Sequence, residues 1–201
     1  MNIISASRRT DIPAFYMPWL MNHLRTGCVS YPNPFSGQIY TVSLQPDDVH
    51  SIVFWSKNYG RFLPHLDEIA GQGYRFYFHY TITGAPHRLE PHVPDWQQSV
   101  RVFRQLAERT SPRHIQWRFD PILLTHELGT EFYINRFREL ARALAGATRR
   151  CYFSFAIFYD KVGRQLQRAR IRFRDPLLEE KQALVHAMAD IADEYGITLY
   201  A

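Results

Sequence analysis

The chain has 201 residues, 46% of them hydrophobic, 15% aromatic and 21% charged. That supports one substantial core and excludes a disordered chain. No run reaches the roughly 20 apolar residues of a bilayer-spanning helix. Met1-Asn2-Ile3-Ile4-Ser5 leads straight into Arg8-Arg9-Thr10-Asp11, without the apolar stretch of a secretion signal. The expectation is a single-domain cytoplasmic protein, residues 1–201, with no membrane partner. Cys28 and Cys151 are the only cysteines; their separation fits no ligand spacing, and they read as two buried thiols. The net charge of +5 is carried by arginine, because Lys57, Lys161 and Lys181 are the only lysines among 24 basic residues. Arginine suits forked recognition of carboxylate or phosphate, and a GC-rich genome produces the same bias.

Short apolar runs alternate with helical stretches, the pattern of βαβ units and a parallel sheet. The predicted strands are Ile3 to Ser5, Ser51 to Trp55, Arg75 to Thr81, His114 to Phe119, Cys151 to Phe155 and Ile197 to Tyr200. Between the first two, Cys28 to Ser30 and Gln38 to Val42 flank the turn formers Pro32-Asn33-Pro34-Phe35-Ser36-Gly37 and predict a small hairpin insertion near 28–42. Helix starts are signalled at Pro64, Asp95, Thr130 and Asp175-Pro176. Helix stops fall at Gly27, Gly71, Gly146 and Gly196. The helix from Glu131 aligns Phe132, Phe137, Leu140 and Leu144; the last aligns Leu177, Leu184, Met188 and Ile191. The fold expected is therefore α/β, a partial (βα)6, TIM-like barrel with parallel strands. The longest irregular stretch, 84–94, is long enough for a functional loop or lid. The abrupt end on Tyr200-Ala201, with no covering helix, predicts that the natural chain continues past residue 201.

In parallel α/β folds ligands bind beyond the carboxyl ends of the strands. The candidates there are Ser5, Ser7, Arg8, Arg9, Thr10 and Asp11 after the first strand, and Ser56, Lys57 and Asn58 after the second. Later strand ends add His79, Tyr80, Thr81 and Thr83, then Arg118, Asp120 and Pro121, then Ser154 and Tyr159. Arg8, Arg9, Lys57 and Arg118 would converge on one mouth and suit a ligand bearing carboxylate or phosphate. Arg9 and Arg118 equally read as structural ion-pair partners of Asp11 and Asp120. Lys57, Asp120 and His79 are the catalytic candidates: Lys57 as base, Schiff-base amine or counter-charge, Asp120 as ligand or orienting group, and His79 as proton carrier or packed interior residue. Ser5, Ser7, Arg8, Arg9, Thr10, Asp11, Asn58 and Arg118 are the candidates for holding a cofactor. No histidine spacing marks a metal site, and no Rossmann or Walker pattern is present. The arginines at 164, 168, 170, 172 and 174 form a charge run that reads as a solvated face or as a nucleic-acid contact.

The strings 3–13 (IISASRRTDIP), 33–35 (NPF), 52–58 (IVFWSKN) and 117–122 (WRFDPI), with Thr148-Arg149-Arg150-Cys151 before the fifth strand, resemble the bacterial domain of unknown function 1848 family across essentially the whole chain. In that family a cysteine cluster similar to that of radical S-adenosylmethionine (AdoMet) enzymes normally follows the final strand. The resemblance implies a radical AdoMet-type, iron-sulfur barrel enzyme whose [4Fe-4S] cluster and AdoMet belong to the full-length protein; it names no substrate, and the basic rim suits a small-molecule or anionic one. Cys28 and Cys151 cannot replace the cluster ligands, because such sites need at least three suitably spaced thiolates. No metal ligand is assigned within these residues. Two other readings stay open: a metal-dependent hydrolase or isomerase barrel using Asp11, His79 and Asp120, and a nucleic-acid-binding module built on the arginine run.

Overall fold

The computed structural model describes residues 2–7, 10–156, 163–164, 168 and 171–201. The chain divides into two compact units, Met1–Tyr80 and Thr81–Ala201. Both are α/β, and their main strands run parallel, as the alternation of apolar runs and helices requires.

The first unit runs β1 (Asn2–Ser5), α1 (Ile12–Phe15), α2 (Met17–Thr26), the hairpin β2 (Cys28–Pro32) and β3 (Ile39–Ser43), β4 (Val49–Ser56), α3 (Leu66–Gly71) and β5 (Phe76–Thr81). Its parallel strands lie in the order β1-β4-β5, with Ile52 opposite Phe76, Phe54 opposite Phe78 and Ser56 opposite Tyr80. Because strand side chains alternate between faces, Phe54 and Phe78 share one face, where Phe62 and Tyr59 join them. The Phe54–Phe62 ring centroids are 4.7 Å apart and those of Tyr59 and Phe78 5.3 Å. All four rings are fully buried, and each contributes roughly 1.5–3 kcal/mol by leaving water. The hairpin closes on Asn33, whose Oδ1 accepts from the Phe35 and Ser36 amides at 2.8 and 3.2 Å. Gly27 ends α2 at φ +74°, and a Cβ there would lie 2.0 Å from Gln45 Nε2.

The second unit runs α4 (Trp96–Arg109), β6 (Ile115–Ile122), α5 (Thr130–Leu144), β7 (Arg150–Phe155), α6 (Leu178–Glu194) and β8 (Thr198–Tyr200), its strands ordered β6-β7-β8. Trp117 and Phe119 bury one face of β6 against Phe137 of α5, at centroid separations of 4.8 and 5.1 Å. Gln116, Arg118 and Asp120 alternate onto the other face. Trp117 Nε1 donates to the Ile82 carbonyl at 2.9 Å, so the indole is satisfied inside the core.

Several expectations need correction. Tyr133 joins Phe137, Leu140, Ala141 and Leu144 in the buried stripe of α5 where Phe132 was expected, because positions 133, 137, 140, 141 and 144 keep the i, i+4, i+7 rhythm. Leu177 lies before the first turn of α6 and is 77% exposed, while Leu184, Met188 and Ile191 are buried as expected. Gly71 is the last residue of α3, and the left-handed backbone falls on Gly73 instead. β6 runs on past the expected end at Phe119 to Ile122, with Pro121 inside it after a cis Asp120–Pro121 bond. Cys151 is buried, but Cys28 is exposed on the hairpin. Among the described residues no helix is long and apolar enough to cross a membrane.

Candidate functional site

In the first unit the residues after β1 and β4 are tied together by one carboxylate. Asp11 Oδ1 accepts from the Ala14 amide at 3.0 Å and so caps α1, a helix too short to begin without such a partner. Its Oδ2 accepts from Ser56 Oγ at 2.9 Å and from the Lys57 amide at 3.4 Å. Ser56 Oγ in turn accepts from the Asn58 amide at 2.8 Å, and Asn58 Oδ1 from the Gly60 amide at 2.9 Å. Asp11 thus holds the backbone of Lys57, and Ser56 that of Asn58, at this strand end. Asp11 and Asn58 both use side-chain oxygens to hold backbone. Ser5 and Thr10 are exposed. Ser7 Oγ is buried and meets no hydrogen-bond partner among the described residues. Arg8 and Arg9 lie outside the described residues, as do Tyr159, Lys161 and Arg170.

His79 stands opposite Trp55 in the β4–β5 register, and their rings stack at 4.0 Å with planes 14° apart. The His79 carbonyl accepts from Tyr59 Oη at 3.1 Å. Burial, with the nearby Asp11 charge and Tyr80 adding to it, pushes the Tyr59 phenol well above its ordinary range. Tyr59 is therefore a neutral donor locked in place. His79 is 9% exposed, packed as an interior residue of the strand face it shares with Val53, Trp55 and Tyr77.

In the second unit Arg118 and Asp120 form the ion pair that their spacing allowed: Nε donates to Oδ1 at 3.1 Å and Nη2 to Oδ2. Tyr152 lies opposite Arg118 in the β6–β7 register and Tyr200 opposite Tyr152 in that of β7–β8. The two phenol rings stack at 5.1 Å, with the Arg150 guanidinium 5.9 Å over Tyr200. This strand face carries cations and aromatic rings, a combination suited to a flat or anionic ligand. Cys151 occupies the opposite register, and burial raises its thiol well above the usual range, so it is neither a ready nucleophile nor a ready metal ligand.

Two cysteines, Cys28 exposed and Cys151 buried, do not fit an iron-sulfur cluster, which needs at least three suitably spaced thiolates. Among the described residues no three His, Cys, Asp or Glu side chains come together as a metal site. The arginine run is also divided: Arg164, Arg168 and Arg172 are exposed, while Arg174 pairs with Glu180. Nothing in the sequence singles out Arg136, yet it lies against the 84–94 loop, stacked on Trp96 at 5.3 Å and Phe132 at 5.6 Å. On a helix its spacing reads as an ordinary solvated position; only the length of the facing loop hints at more.

A family model described as domain of unknown function (DUF1848) matches residues 3–201. A search of curated proteins finds no match. Among solved structures the fold is similar to that of a spore photoproduct lyase mutant with bound AdoMet and dinucleoside spore photoproduct, at TM-score 0.63 and 15% identity. The likeness covers 99% of this chain and 60% of the lyase, so the chain spans less than two thirds of that protein's length.

Proposed function

We propose that this chain, which belongs to the DUF1848 family, is the α/β portion of an enzyme of radical AdoMet type acting on a small anionic substrate. The observation that carries this reading is the fold likeness, over 99% of the chain, to a lyase that holds AdoMet. AdoMet supplies, when reduced at a cluster, a carbon radical able to abstract hydrogen. The described residues do not provide that cluster. The chain's own contribution is binding and orientation. Asp11 holds the β1 and β4 loops in one arrangement, Lys57 offers a cation beside them, and the Arg118–Asp120 pair with Tyr152 offers a planar, polar wall.

The test is the full-length gene product purified without oxygen. The reading expects bound iron and sulfide, a brown colour, and reductant-dependent cleavage of AdoMet. A colourless, iron-free protein that does not bind AdoMet in calorimetry would refute it.

A nucleic-acid substrate is the second reading, favoured by the exposed side chains of Arg164, Arg168 and Arg172 and by the dinucleoside held in the similar lyase. It expects salt-dependent binding of a DNA or RNA oligonucleotide that is lost when Arg168 and Arg172 become Ala. Absence of binding at low salt removes it.

A further inference from the structure

Within the second unit, the chain beyond the carboxyl end of β5 folds around a cavity of about 310 Å³. This lies at the small end of the range for small-molecule sites. Its position follows the rule for parallel strands, since Thr81, Ile82 and Thr83 line it directly after the strand. The lining also brings in Glu90, Asp95 and Arg136.

The charges in this cavity are specific. Arg136 reaches it from α5 and is flanked by Trp96 and Phe132. Gly84, at φ +61°, makes room for it: a Cβ there would stand 2.4 Å from Arg136 Cδ. One arm of the guanidinium is used by Glu139, at 3.0 Å from Nη1. The Arg136 Nε–H, however, is buried and finds no acceptor among the described residues. A buried donor left unmet is destabilising, so its persistence points to an acceptor supplied from outside the described residues. Two carboxylates share the cavity. Glu90 Oε2 accepts from Thr83 Oγ1 at 3.1 Å. Asp95 precedes α4 yet makes no side-chain capping bond, although a helix start normally claims such a carboxylate.

With Asp95 lining the cavity and Glu139 already paired to its one guanidinium, a dianion such as phosphate is disfavoured there. A purely cationic ligand would leave the Arg136 Nε–H unmet. We infer that the cavity binds a small zwitterion of the amino-acid class, its carboxylate taken by Arg136 and its ammonium group by Glu90 and Asp95. This site does not depend on the AdoMet reading.

The experiment titrates the full chain with each of the common L-amino acids, following binding by calorimetry and thermal shift. Two charge-blocked forms of any binder, the amide and the N-acetyl derivative, are measured beside it. Binding of the zwitterion and about tenfold weaker binding of both blocked forms is the expected result. Glu90→Gln keeps the oxygen that meets Thr83 but removes the charge, and is expected to weaken the zwitterion about tenfold while leaving the N-acetyl form unchanged. Arg136→Lys should weaken the zwitterion and leave the amide unchanged. Saturating AdoMet is added in a parallel titration, and the amino-acid affinity should not move. The inference is overturned if no amino acid binds, if the blocked forms bind as well as the zwitterion, if neither variant changes affinity, or if AdoMet displaces the amino acid.

Discussion

Arg118 and Asp120 stand two residues apart on one face of β6 and meet through both arms of the guanidinium, Nε to Oδ1 at 3.1 Å and Nη2 to Oδ2. Side chains at i and i+2 of a strand point the same way, so the pairing is intrinsic to the Arg-Phe-Asp order, while Phe119 between them packs on Phe137. The side chains are 24% and 13% exposed, enough burial that breaking the pair has a cost. Asp120→Asn is expected to destabilise by about 1–2 kcal/mol in urea unfolding, because it removes the charged acceptor of a part-buried guanidinium. An unchanged urea midpoint would show the pair to be energetically idle.

The Asp11 carboxylate separates two tasks by oxygen atom. Asp11→Asn retains one oxygen for the Ala14 amide but loses the charged acceptor for Ser56 Oγ and the Lys57 amide. Asp11→Ala loses both. We expect the Ala variant to cost about 2 kcal/mol and the Asn variant about half of that in denaturant unfolding. Equal losses would mean that only the link to β4 counts.

Tyr133 Oη donates to the Leu123 carbonyl at 2.7 Å and accepts from the Leu123 amide at 3.1 Å. Burial, more than the opposing backbone hydrogen bond, raises its phenol to about 12. A raised folded-state value favours the neutral phenol, so its contribution is complete below the ordinary value of 10 and is lost as pH rises from 10 through 12. Ultraviolet titration should therefore show a phenolate step near 12 that disappears in Tyr133→Phe. That variant should also lose about 1 kcal/mol at neutral pH, through the unmet Leu123 carbonyl.

The two cysteines should part cleanly in a thiol-reagent assay. Cys28 is exposed and Cys151 buried with a raised thiol, so native protein should react at Cys28 alone and denatured protein at both. Cys28→Ser should then leave the native protein unreactive. Fast native modification of Cys151 would contradict its burial.

Local chemistry made much of this protein legible from its residues. The β-branched and aromatic runs marked every strand described here, and the Pro-Asn-Pro-Phe-Ser-Gly turn marked the hairpin, because strand pairing and tight turns depend on neighbours within a few residues. Glycine at 27, 146 and 196 marked helix ends for the same reason, each taking a positive φ. The loop after β1 was legible as a polar cluster, and the pairing of Arg118 with Asp120 followed from alternation along one strand.

Partners distant in sequence were decided only by the tertiary structure. That Asp11 would be occupied by Ser56, 45 residues away, or that His79 would lie flat on Trp55, depends on which strands adjoin and in what register. Whether Tyr133 or Phe132 faced the core turned on a rotation of α5 by one residue. Most of all, Arg136 reads in sequence as one more helical surface cation. It became the charged wall of a cavity because Gly84 lets the chain after β5 come within contact of its stem. Composition and periodicity determined which elements exist; the close approach of elements remote in the chain determined which of their polar groups remain available for chemistry.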